Sequence, residues 1–89
     1  MKPTNMKQYY AVVCTYSFSA DVSVRLFDTV NEAESYMVND FNAEKSYQEE
    51  NLGTPVQNAF CDLYEAELTP SDTYGTIFWK IVKTDKEES

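Results

Sequence analysis

The stretch 29–53 sets the limits on how this chain can fold, because no other segment is long and periodic enough for a substantial helix. Apolar side chains at Ala33, Tyr36, Met37, Phe41 and Tyr47 recur at roughly helical spacing, giving one stripe that a second layer must cover. Both ends carry their own signals. Thr29 and Glu32 have capping-box spacing: the hydroxyl accepts from the Glu32 backbone N–H, and the Glu32 carboxylate reaches back to the Thr29 N–H. Glu32 and Glu34 also suit the positive end of the helix dipole. Gly53 can take the left-handed conformation and Pro55 cannot continue a helix, so the rod stops there. At about 1.5 Å per residue it is roughly 30 Å long, a match for a strand of about eight or nine residues.

The remainder reads as strand and turn. The run QYYAVVCTY over 8–16 is aromatic and β-branched, with Tyr10, Val12, Cys14 and Tyr16 on one face and Tyr9, Ala11, Val13 and Thr15 on the other. Both faces are partly apolar, which predicts a central strand. Segment 21–28 alternates Val22, Val24 and Leu26 with Ser23 and Arg25, so the three apolar residues are expected in the core. A third strand is expected over 57–68, where the alternation is ambiguous and a bulge or a twist would reconcile the two faces. Thr69, Pro70, Ser71 and Asp72 form a turn, and the last strand covers 73–84, with Ile77, Trp79 and Ile81 toward the helix.

The order β-β-α-β-β predicts an α+β fold, a four-stranded antiparallel sheet with one long helix packed on one face. The 89 residues make one small domain, with 1–7 and 85–89 as disordered tails. One helix covers only one side of a sheet. The bare side is therefore expected to carry an apolar interface, for which Tyr9, Val13, Phe78 and Tyr64 are the candidates.

Composition narrows the chemistry. The chain contains no histidine, which excludes Ser-His-Asp and Cys-His catalysis and histidine-metal sites. Its two glycines, Gly53 and Gly75, cannot build a phosphate-cradling loop. Cys14 and Cys61 sit in apolar runs and read as small buried hydrophobes, a disulfide between neighbouring strands being the alternative. Glu65 and Glu67, two apart on a strand, share a face and read as a solvated pair. No catalytic residue, cofactor or metal is expected, and the chain does not read as an enzyme.

Fifteen acidic against seven basic residues leave a charge of −8, which repels nucleic acids and anionic membranes. No apolar run reaches the length of a membrane span and the opening residues lack a hydrophobic signal region, so a cytoplasmic protein is expected. The acids concentrate: Glu34, Asp40, Glu44, Glu49 and Glu50 on the helix and Asp62, Glu65 and Glu67 beyond it form a candidate acidic interaction surface. Leu26, Phe27, Asp28 and Thr29 followed by Glu32 and Ala33, together with YEAELTPSDTYGTIFWKI, resemble small, mostly uncharacterised accessory proteins carried on conjugative elements and phages of Gram-positive bacteria. That resemblance implies an accessory role in a bacterial cytoplasm and transfers no functional residue. Two functional classes follow. One is a non-enzymatic protein–protein interaction module, with a homodimer as its simplest form. The other is an acidic inhibitor or nucleic-acid mimic acting on a basic partner protein.

Overall fold

The expected helix forms: α1 spans Val30–Leu52 in a computed structural model that describes residues 5–71 and 75–88. Thr29 caps it in extended conformation, its Oγ1 accepting from the Glu32 N–H at 3.2 Å. The Glu32 carboxylate completes the cap differently from the expected box, accepting at 3.1 Å from the Thr29 hydroxyl rather than from its backbone N–H. At the other end Gly53 has φ 71°, a left-handed conformation that lets its N–H donate to the Glu49 carbonyl at 2.9 Å. The buried stripe is Ala33, Met37, Phe41 and Gln48, with Tyr36 half-buried and Tyr47 exposed. Tyr47 leaves the stripe because it stands six residues after Phe41, where a helix has turned about 120° off the line. Gln48, seven after Phe41, returns to it, and its buried amide donates to Glu44 Oε1 at 2.9 Å.

Among the described residues there are five strands, not four: β1 Asn5–Tyr16, β2 Ser19–Phe27, β3 Asn58–Cys61, β4 Glu65–Thr69 and β5 Ile77–Glu88. They form one sheet in the order β2-β1-β5-β4-β3, with every neighbouring pair antiparallel. The expected third strand is a hairpin, so its ambiguous alternation comes from a turn and not from a bulge or a twist. Asp62 makes that turn, accepting from the Leu63 N–H at 2.7 Å while its own N–H donates to the Glu65 carbonyl at 2.8 Å. Portions of both expected tails are strand, since 5–7 of β1 pair with 86–88 of β5. Residues 1–4, 72–74 and 89 lie outside the described residues, and with them Asp72 of the expected turn and the expected start of the last strand.

The core fills the space between α1 and one side of the sheet. Val12 and Cys14 of β1, Ala66 and Leu68 of β4, and Ile77, Trp79 and Ile81 of β5 meet Ala33, Met37 and Phe41 of the helix. Register places Cys14 opposite Trp79 and Val12 opposite Ile81, so the expected helix-facing residues of β5 are there. Phe41 meets the Trp79 ring edge-on, 5.6 Å between centroids at 79°. A buried indole also needs a hydrogen-bond partner, and Asp40 supplies it: Trp79 Nε1–H donates to Oδ2 at 2.9 Å.

The expectation for β2 is reversed. Val22, Val24 and Leu26 pair with Thr15, Val13 and Ala11, and so share the side of the sheet facing away from α1. They are 59%, 55% and 50% exposed. Ser23, Arg25 and Phe27 take the helix side, where the Arg25 guanidinium lies 5.6 Å from the Tyr36 ring centroid and the Phe27 ring meets the same ring at 5.2 Å, tilted by 41°. Arg25 is tolerated there because β2 is an edge strand beyond the part of the sheet the helix covers.

One glycine is demanded by close approach. Gly75 has φ 100°, and a Cβ added there would stand 2.8 Å from Ser17 Oγ and 2.9 Å from Phe18 Cδ1. Ser17 is held in place, its N–H donating to the Thr76 carbonyl at 2.9 Å and its Oγ accepting from the Thr76 N–H at 2.8 Å. Gly75→Ala is therefore expected to destabilise by about 1–3 kcal/mol through backbone strain and displacement of the Ser17–Phe18 corner. A urea midpoint equal to that of the parent chain would contradict this.

Candidate functional site

The side of the sheet away from α1 is built by the register. Across β2, β1 and β5 it presents Val22, Thr15 and Phe78 in one row, Val24, Val13 and Lys80 in the next, and Leu26, Ala11 and Val82 in the third. β4 adds Glu67 beside Phe78 and Glu65 beside Lys80, and β3 adds Phe60 beside Glu67. Apolar surface is thus concentrated on the β2 half, with Val82 41% and Phe78 38% exposed, and charge on the β4 half. Three of the expected interface residues, Tyr9, Val13 and Phe78, lie on this side. Tyr64 does not: it lines a shallow groove on the helix side with Tyr10, Val30, Ile81 and Lys83.

Val22, Val24 and Leu26 are the largest apolar exposures on the bare side, yet their pattern alone assigns them to the core. The signal that places them is the hairpin. Tyr16 pairs with Ser19 and Thr15 with Val22, a shift of two residues that preserves facing, so β2 inherits the facing of β1. Because β1 is apolar on both faces, facing cannot be told from hydropathy.

The acidic residues fall into separate groups. Asp40 is bonded to Trp79, Glu44 accepts from Gln48, and Glu49 accepts from the Val56 N–H at 3.0 Å and from Lys45 Nζ at 3.4 Å. The Val56 amide, and after it Lys45, holds the Glu49 carboxyl below its ordinary range. Glu34 and Glu50 complete the helix set, Glu34 half-buried and Glu50 exposed. Glu65 and Glu67 project from the opposite side of the sheet, and Asp62 sits in the β3–β4 turn. The helix carboxylates and those of β4 therefore do not converge on one surface.

The thiols differ in setting. Cys14 is buried under the helix and its burial raises the thiol's pKa; the Tyr16 hydroxyl is pushed up to about 12, first by its hydrogen bond with Cys14. Cys61 is exposed on β3 rather than buried, and local desolvation followed by the Asp62 charge raises it also. Both are free thiols, so the alternative of a disulfide does not hold. A raised pKa leaves little thiolate at neutral pH. Among the described residues no group of three or more Cys, Asp or Glu side chains is placed to hold a metal ion, and no helix is long and apolar enough to cross a membrane.

Comparison of the chain with protein-family models, with curated proteins and with solved structures finds no match.

Proposed function

We propose that this chain is a non-enzymatic protein–protein interaction module of the cytoplasm that associates with a second copy of itself through the part of the sheet α1 leaves bare. One observation carries the reading: β2 is exposed on both sides, and its Val22, Val24 and Leu26 continue into Val13, Val82 and Phe78 as one apolar surface. A contiguous patch of this kind is typical of an interface, whereas scattered exposed apolar residues are not. The resemblance to accessory proteins of conjugative elements and phages is compatible with such a role. Sedimentation equilibrium tests it: the expected mass is near twice 10.3 kDa, and a strict monomer up to about 100 μM would overturn it.

The acidic-mimic reading draws less support. Asp40, Glu44 and Glu49 are engaged within the fold, and Glu65 and Glu67 face away from the helix acids. A mimic of phosphate spacing needs its carboxylates on one surface.

A further inference from the structure

We infer that the second copy joins edge to edge, β2 against β2, antiparallel about a two-fold axis at Ser23, making one continuous ten-stranded sheet. This rests on the reading of the chain as a self-associating module and specifies how the copies meet. The exposed apolar residues of the bare face, Val22, Val24, Leu26, Val82 and Phe78, are far fewer than the roughly 20–30 residues a standard interface uses on each side. Side-chain contact across that face alone is therefore small for a stable dimer. The edge supplies what is missing.

β2 ends the sheet on one side and β3 on the other. Sheet edges are normally protected by shortness, proline, bulges or lysine. β3 has four residues and is short in this sense. β2 has nine, SADVSVRLF, with no proline, glycine or lysine; its register against β1 shifts between Ser19 and Val22, leaving Ala20 and Asp21 unpaired with β1, and from Val22 to Phe27 it pairs without interruption. Its outer backbone groups have no strand partner among the described residues. Two shallow grooves run along this edge, one lined by Ser23, Arg25, Phe27 and Tyr36 among others, the next by Phe18, Asp21 and Val22. The helix thus leaves room for an added strand.

The register follows from facing and charge. In a two-fold antiparallel pair, opposed residues must point to the same side of the sheet, so the axis passes through a residue and not between two. With the axis at Ser23, Asp21 lies opposite the partner's Arg25 and Arg25 opposite the partner's Asp21. On the other side Val22 meets the partner's Val24, twice. With the axis at Val24 the two arginines become diagonal neighbours and each Asp21 faces Phe27. With the axis at Arg25 the guanidinium groups stand directly opposed. Only the Ser23 axis pairs both charges of the strand, and opposed charges across strands are favourable where like charges are not.

Two experiments on the full chain test this together. In sedimentation, Asp21→Arg and Arg25→Asp are each expected to weaken the dimer about tenfold or more, because each converts two attractions into two repulsions. The double charge swap is expected to restore it to within about threefold of the parent. Leu63→Lys, in the exposed β3–β4 turn at the end of the sheet opposite β2, is expected to leave the dimer intact. For cross-linking, Ser23→Cys is made with Cys14→Ala and Cys61→Ser, since Cys14 is the β1 neighbour of Ser23 and would compete for it. Opposed Cα atoms at about 4.5–5.5 Å lie within disulfide reach, so Ser23→Cys is expected to give a linked dimer and Val24→Cys in the same background is not.

A monomer at every concentration overturns both the module reading and this one. A dimer indifferent to the charge swaps, lost on Leu63→Lys, or cross-linked through Val24→Cys instead of Ser23→Cys overturns the edge pairing and leaves self-association standing.

Discussion

Replacing Trp79 by alanine is expected to remove a large part of the domain's stability at 25 °C. The indole is buried at the centre of the helix-sheet layer, where it meets Phe41 edge-on and donates to Asp40. Removing a buried Trp side chain costs about 3–5 kcal/mol, the lost edge-on contact with Phe41 included. A domain of this size has roughly 4–13 kcal/mol in total, so a large part of it disappears with one side chain. Thermal unfolding followed by circular dichroism is expected to show a midpoint lower by about 15–35 °C. A drop under about 5 °C would mean that Trp79 is not the centre of the core.

Two leucines that alternate similarly in sequence are expected to behave oppositely. Leu68 of β4 is wholly buried under α1 whereas Leu26 of β2 is half exposed on the bare side. Leu68→Ala should cost about 2–5 kcal/mol, as a cavity opens that the surrounding side chains only partly fill. Leu26→Ala, measured on dilute monomer, should stay within about 0.5 kcal/mol of the parent. Urea unfolding of the two variants side by side measures the difference. Equal losses would place Leu26 in the core after all and reverse the assignment of the two sides of the sheet.

That assignment is the point at which sequence reasoning fails, and the reason is physical. The ends of α1 are legible because their chemistry is local: a threonine hydroxyl three residues from its partner amide, and a glycine whose missing Cβ permits a left-handed turn. The helix-facing set Ile77, Trp79 and Ile81 is legible because it alternates with Phe78, Lys80 and Val82, all three exposed. The facing of β2 depends on register against β1, and β1 carries apolar residues on both faces, so hydropathy contains no information about which side the helix takes. The turn between β3 and β4 escapes notice because it holds neither glycine nor proline and is made by one aspartate bonding its neighbour's amide. Of the interface candidates, Tyr9, Val13 and Phe78 share the bare side while Tyr64 falls on the helix side, separated from them by the extra turn. The edge position of β2 needs the strand order, which is a long-range property.

Self-association edge to edge through β2 is tested most directly by amide hydrogen exchange as a function of protein concentration. Amides of β2 that point outward from the sheet are expected to exchange quickly in dilute protein and to become protected as concentration rises, while the other edge, β3, and helix α1 stay unchanged. Protection that rises on β3 or on α1 but not on β2, or none that depends on concentration, would contradict the account.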